Sequence, residues 1–280
     1  MQIMDGKLVA QITRQQIKEE VDAIKQAGGE VGLAVILVGD NPASQVYVNN
    51  KIKACKEAGI NSILCKLEEN ATQKEVLDVI EKLNADKAVN GILVQLPVPK
   101  GLDENEILSA VDPAKDVDGA HYVQKGKLWT GHPELIACTP FGVMKMLEYY
   151  NIPIKGRHAV VIGRSNLVGK PLAQLLLDKD ATVTICHSKT ADIKSITRQA
   201  DILCVAIGKA GFVTADMVKE GAVVIDVGIN RENGVLRGDV DFESVKDKCS
   251  YITPVPGGVG LMTVTMLLAN AVAAYKIQNK

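Results

Sequence analysis

Short runs of branched aliphatic residues alternate with amphipathic stretches along almost the whole chain. Residues 33–38, 62–67 and 91–96 in the first half are apolar without in–out alternation, as are 159–163, 182–186, 202–207 and 222–227 in the second. Runs of that kind predict parallel strands buried on both faces. The helical segments between them have recognisable starts. Thr72-Gln73-Lys74-Glu75 reads as a capping box, and Thr139-Pro140 places a capping hydroxyl before a proline at the first helical position. A last helix is expected over about 262–277. No repeat of 20 to 50 residues is visible. The pattern predicts an α/β protein of two domains, with the boundary in the irregular Gly- and Pro-bearing segment 112–140. The last helix could pack on either domain.

Residues 159–190, AVVIGRSNLVGKPLAQLLLDKDATVTICHSKT, give the second half its chemistry. They read as a strand, a tight turn at Gly163-Arg164-Ser165, a helix entered through Val168-Gly169, and a second strand ending in Cys186-His187-Ser188-Lys189. This is the first strand-helix-strand unit of a dinucleotide-binding domain, with two departures from G-x-G-x-x-G. Ser165 stands where the middle glycine normally lets the pyrophosphate approach the backbone. The acid expected about 20 positions on, which binds the ribose 2′-hydroxyl of NAD, is missing. Arg164, Ser188 and their neighbours are cationic or hydroxyl donors, which suit a 2′-phosphate. The reading is NADP; the competing one is a plain strand-turn-helix crossover.

Composition narrows the class. With 280 residues, 47% hydrophobic and 4% aromatic, the chain can build large aliphatic cores. Its 32 basic and 33 acidic residues form no block of one sign, so neither nucleic acid nor a membrane surface is implied. Six cysteines without a C-x-x-C pair are expected to be reduced thiols in a cytoplasmic protein. The four scattered histidines predict no metal site. The N-terminus lacks a signal-peptide run, and the apolar segment 261–275 is shorter than the ~18 residues that span a bilayer.

Four segments carry candidate chemistry. Tyr47 and Lys51 are four apart and share a helix face. A lysine held there near strand ends could move protons if burial lowers its pKa; the same spacing fits a surface lysine on an amphipathic helix. Gln95 ends the apolar run GILVQLPVP, where open α/β sheets place ligand groups, or it caps the turn before Pro97. Asp116 and Asp118 form a compact acidic turn. A carboxylate there could accept paired hydrogen bonds from an amidine-like ring edge, or make an Asx turn before Gly119. In PVPGGVG, two prolines stiffen a loop whose glycines allow close ligand approach at a helix start; the alternative is a rigid connector.

Taken together, Tyr47-Val-Asn-Asn-Lys51, Val94-Gln95-Leu96-Pro97, Lys115-Asp-Val-Asp118-Gly119, Cys138-Thr-Pro140, Gly163-Arg-Ser-x-x-Val-Gly169, Cys186-His-Ser-Lys-Thr190 and Thr253-Pro-Val-Pro-Gly-Gly-Val-Gly260 resemble the bifunctional methylenetetrahydrofolate dehydrogenase/methenyltetrahydrofolate cyclohydrolases, nearly end to end and in the same order. The resemblance implies two three-layer α/β domains. Residues 1–138 plus 262–280 would hold the folate, the last helix packing back on the N-terminal domain. Residues 139–261 would form a Rossmann-type NADP-binding domain, with the active site in a cleft between the two. Lys51 would serve the cyclohydrolase step, Tyr47 would position substrate and lysine, Gln95 would tune the lysine, and Asp118 would grip the pterin edge. Val94, Leu96, Pro256, Gly257 and Gly258 would also line the folate site. Thr139, Gly163, Arg164, Ser165, Ser188 and Ile229 would line the NADP site. The resemblance further implies a homodimer and a place in one-carbon metabolism, serving purine, methionine and histidine biosynthesis.

Two stretches depart from the family pattern. After Lys-Asp-Val-Asp-Gly the family usually reads Phe-His-Pro-x-Asn, where this chain has Ala120-His121-Tyr122-Val123-Gln124, and a proline is usual where Leu261 stands. Both put the balance of the two activities in question. The chain also ends at Lys280, so no formate-ligase domain is expected.

Overall fold

The computed structural model describes residues 1–232 and 234–280 and divides them into two compact units. One comprises Met1–Gln11 and Thr139–Thr263, the other Ile12–Cys138 and Val264–Lys280. Among the described residues the first half runs β1 (Gln2–Ile3), α1 (Gly6–Gln26), β2 (Gly32–Val38), α2 (Pro42–Ala58), β3 (Asn61–Leu67), α3 (Gln73–Ala85), β4 (Gly91–Val94), α4 (Glu104–Ala110) and α5 (Tyr122–Trp129). The second half runs α6 (Cys138–Tyr149), β5 (His158–Ile162), α7 (Gly169–Leu177), β6 (Thr182–Cys186), α8 (Ile193–Thr197), β7 (Ile202–Val205) and β8 (Val223–Asp226). It closes with β9 (Asn230–Glu232), β10 (Val235–Arg237), α9 (Phe242–Val245), β11 (Tyr251–Ile252) and α10 (Val259–Gln278).

The unit containing Thr139–Thr263 is built on a six-stranded parallel sheet in the order β1-β11-β8-β7-β5-β6. Strands β7 and β8 are buried throughout, as expected for apolar runs flanked by neighbours. Strand β6 lies at an edge and keeps Thr182 and Ile185 exposed, so the prediction of burial on both faces fails there. The chain start belongs to this sheet. Gln2 N–H donates to the Ser250 carbonyl (2.7 Å) and Met4 N–H to that of Ile252 (2.8 Å), and Met4 is fully buried. Residues 1–11 therefore fall outside the domain in which the sequence boundary placed them; two-residue strands such as β1 and β11 carry no readable pattern.

The other unit centres on the parallel sheet β3-β2-β4, with all seven residues of the middle strand β2 buried. Edge strand β3 has no fully buried position, mixing exposed and half-buried residues, again against expectation. The capping box at Thr72 is present: its hydroxyl accepts from Glu75 N–H, and the Glu75 carboxylate accepts from Thr72 N–H. The segment expected to be irregular contains α5, capped by the His121 ring nitrogen, which accepts from Val123 N–H at 3.0 Å. Helix α10 is longer than predicted, at 20 residues. Length and composition alone would let it cross a membrane. Its residues Met266, Leu267, Leu268, Ala271, Val272 and Ala274 are instead buried in protein. Gln278 ties its end to the carbonyls of Asn90 (2.8 Å) and Ala114 (3.0 Å), and Lys276 bonds Glu20.

Candidate active site

Helix α2 starts on a capped first turn. Asn41 Oδ1 accepts from Ala43 and Ser44 N–H, and Pro42 sits at the first helical position. The helix sets Lys51 one turn beyond Tyr47, whose ring stays half exposed. Lys51 Nζ donates to Gln95 Oε1 at 2.9 Å. Strand β4 stops at Val94, one residue before Gln95, whose backbone N–H still donates to Ile36 O at 2.9 Å. Gln95 Nε2 donates to Leu96 O at 2.6 Å. The amide thus has a single orientation that satisfies both bonds, oxygen toward the lysine. Gln95 thus makes the turn bond expected before Pro97 and also faces the lysine.

Burial dominates the electrostatics around Lys51. Burial lowers its pKa from the ordinary lysine value, opposed first by the Asp118 carboxylate and then by the Cys138 and Cys55 thiols. Burial likewise pushes Asp118 up to about 6, with the Lys51 charge opposing and the Asp116 charge adding. Cys55 is driven to about 12 and Cys138 well above the usual thiol range, both chiefly by burial. Neither thiol competes with Lys51 as a base near neutrality.

The Lys115-to-Gly119 string divides into supports and one carboxylate, Asp118, that faces Lys51 and bonds the Cys138 thiol. Lys115 Nζ donates to the carbonyls of Leu83 (3.0 Å), Asn84 (2.8 Å) and Asp86 (2.7 Å), so a buried ammonium caps the C-terminal end of α3. Asp116 accepts from Ala120 N–H (3.1 Å) and His121 N–H (2.8 Å), so it is the turn former of the two acids. Gly119 holds φ +64°, and a Cβ on it would lie 2.4 Å from Ala137 N. From α10, the buried Asn270 amide donates to Val117 O (2.8 Å) and Ile136 O (2.7 Å). Sequence reading missed Lys115 and Asn270 as supports, because a lysine in a turn and an asparagine in an apolar helix show their partners only after folding. The departure at 120–124 has a structural account. Gln124 Nε2 donates to Pro113 O (2.6 Å) and its Oε1 accepts from Leu135 N–H (3.3 Å), while the Tyr122 ring is 66% exposed.

In the other unit the glycine turn is tightly constrained. Gly163 has φ +130°, and a Cβ there would sit 2.3 Å from Ala206 O; one on Gly169 would sit 2.2 Å from Gly163 O. Ser165 replaces the middle glycine with a cap: its Oγ accepts from Val168 N–H (3.1 Å) and Gly169 N–H (3.3 Å). Arg164 and Ser188 are both exposed. The turn after β6 is held by His187 N–H on Thr190 Oγ1 (2.8 Å) and Lys189 N–H on His187 Nδ1 (3.1 Å). Residues 187–190 carry no carboxylate. This donor set at the carboxyl ends of parallel strands fits a phosphorylated dinucleotide. Ile229, 45% exposed, follows β8. Thr139 does not cap α6, because the helix begins one residue earlier and its hydroxyl pairs with that of Thr263 at 2.9 Å. The structure therefore brings Lys51, Gln95 and Asp118 together in one unit. Pro256, Gly257 and Gly258 belong to the other, in the loop before α10 where Gly257 O accepts from Gly6 N–H at 2.9 Å.

Comparison with known proteins agrees with this division of chemistry. Residues 4–118 match the catalytic-domain model of tetrahydrofolate dehydrogenase/cyclohydrolase, and residues 137–279 match its NAD(P)-binding-domain model. The bifunctional protein FolD of Streptococcus agalactiae is 55% identical over 269 residues, 95% of each chain. The crystal structure of the bifunctional FolD enzyme from Campylobacter jejuni superposes with a TM-score of 0.98 at 51% identity, covering 99% of both chains. The Trypanosoma brucei FolD structure, a complex with NADP cofactor and inhibitor, gives a TM-score of 0.94 at 37% identity, covering 99% of this chain and 97% of that one. With both domain models matched over most of its length, the chain belongs to the tetrahydrofolate dehydrogenase/cyclohydrolase family.

Proposed function

We propose that this protein oxidises methylene-tetrahydrofolate to methenyl-tetrahydrofolate with NADP and then hydrolyses the product to formyl-tetrahydrofolate. The bond from Lys51 to Gln95, beside Asp118, carries the reading. NADP, when bound, supplies the hydride acceptor, and Gly163, Arg164, Ser165, Ser188, Ile229 and Thr139 are the residues proposed to hold it. The chain's own residues do the rest. Asp118 accepts hydrogen bonds from the amidine-like edge of the pterin, and Tyr47 offers its half-exposed ring to the substrate. Val94 and Leu96 flank Gln95 and wall the site.

In the hydrolytic step water attacks the methenyl carbon, and a proton must leave the water and reach a ring nitrogen as the C–N bond breaks. Lys51, with a pKa lowered by burial, can take that proton and return it. Gln95 Oε1 accepts from the amine and orients it, while the Asp118 carboxylate limits how far its pKa falls. We further propose that the protein works as a cytoplasmic homodimer in one-carbon metabolism, supplying purine, methionine and histidine biosynthesis. That proposal rests on family membership.

A progress curve with purified protein, methylene-tetrahydrofolate and NADP tests the reading, following NADPH and methenyl absorbance together. NADPH is expected to run well ahead of methenyl. One-for-one accumulation would show that hydrolysis is absent. The pH dependence gives a second check. Asp118 must be ionised to accept from the pterin edge, so binding holds above about 6 and is lost as pH falls through that value. For one required ionisation the KM for methylene-tetrahydrofolate should rise about ten-fold from pH 7 to pH 5. An unshifted aspartate would stay ionised over that range. A flat KM profile in the wild-type enzyme would remove Asp118 from folate binding.

A further inference from the structure

Two buried carboxylates in the nucleotide-binding unit take no part in the chemistry above. Asp239 is fully buried, and Asp226 is 3% exposed. Asp239 Oδ2 accepts from Ile207 N–H (2.7 Å) and Gly208 N–H (3.0 Å), while its Oδ1 accepts from Lys209 N–H (2.7 Å) and Asn230 Nδ2 (2.9 Å). Three successive backbone donors and one side-chain amide thus converge on a single anion, the arrangement of an anion nest filled by the protein's own carboxylate. Asp226 holds Asp239 in place. Its Oδ1 accepts from Gly228 N–H (3.1 Å) and Asp239 N–H (2.9 Å), and its Oδ2 from Val240 N–H (2.9 Å). Glycines make room for both. A Cβ on Gly228 would lie 2.0 Å from the Asp239 carboxyl carbon, and one on Gly238 would lie 1.8 Å from Asp226 Oδ2.

The position of this network points to its use. Residues 207–209 leave β7 at its carboxyl end, and Asn230 directly follows Ile229 beyond the end of β8. Ala206, at the start of the β7 turn, is the residue whose carbonyl closes on Gly163. Open α/β sheets bind ligands at these strand ends. We propose that Asp239 is a positioning residue for the dinucleotide, clamping the turn after β7 to the turn after β8 so that both hold one shape before the cofactor arrives. The proposal rests on the NADP reading given above and deepens it. An amide or an apolar side chain of similar size could not satisfy three N–H donors converging from one turn, so a carboxylate is required.

The test uses two variants and an internal control, because hydrolysis of methenyl-tetrahydrofolate consumes no NADP. Asn230→Ala removes one of the four bonds and should raise the NADP Kd, measured calorimetrically, by about five- to ten-fold. Cyclohydrolase turnover without NADP should stay at the wild-type rate. Asp239→Asn should raise the Kd further and lower the Tm, and if that chain does not fold, Asn230→Ala decides. Wild-type Kd in every folded variant would overturn the clamp, as would an equal fall in both activities. Failure of the wild-type protein to bind NADP would instead sink the cofactor reading beneath it.

Discussion

Replacing Lys51 with methionine is expected to cut hydrolysis of methenyl-tetrahydrofolate by about 10²- to 10⁴-fold, the usual worth of a positioned general acid–base group, while dehydrogenase activity survives in part. Methionine keeps the unbranched stem, so the packing of α2 changes little; only the amine is lost. Two neighbours feel that loss. Gln95 Oε1 loses its donor, and Asp118 loses the charge that opposes the upward push of burial on its pKa. The Asp118 value should therefore climb above about 6, and the folate KM should rise in both reactions near neutral pH. Rates of NADPH formation and of methenyl decay, measured separately, divide these effects. A KM rise shared by both activities reports Asp118, whereas a kcat loss confined to hydrolysis reports the missing amine. Wild-type hydrolysis would show that Lys51 does not move the proton.

Gly169→Ala should do the converse and damage the dehydrogenase alone. The new methyl would fall 2.2 Å from Gly163 O, 2.5 Å from its carbon and 2.9 Å from Arg164 N. These are backbone atoms, so no flexible side chain can yield, and either the start of α7 or the turn must shift. The shift would stretch the two bonds from Val168 and Gly169 N–H to Ser165 Oγ and displace Arg164. Overpacking of this kind costs about 1–3 kcal/mol. We expect a Tm lower by several degrees and an NADP KM raised at least about ten-fold, with cyclohydrolase turnover near wild type. An unchanged NADP KM would mean that the turn does not contact the cofactor.

Much of this was legible before folding because period and local chemistry are written in consecutive residues. The runs that became β2, β5, β7 and β8 are predominantly aliphatic segments without in–out alternation, the pattern expected of parallel strands between neighbours. The Thr72 capping box spans one helical turn and closes on itself. The turn at Gly163 was readable too, since only glycine takes φ +130° with a carbonyl so close behind it. Where the reading failed, the missing information was non-local. Strands β3 and β6 look like central strands, but edge position exposes half their side chains. The first eleven residues joined the other unit because β1 pairs with β11, nearly 250 residues away.

The same division runs through the candidate site. Sequence alone determined the family, the α/β class with its parallel strands and the identity of the chemical groups, because each depends on short strings in fixed order. Tertiary structure decided what those groups are. Lys51 is an ordinary lysine until burial and Asp118 set its proton affinity, and Asp116 and Asp118 are alike until hydrogen bonds to Ala120 and His121 N–H engage only the first. Asp239 is one more acid in the sequence until three N–H groups from residues 30 to 32 positions earlier close around it. Proton affinity and hydrogen-bond satisfaction depend on which distant groups arrive at one place and exclude water there, and only the folded chain decides that.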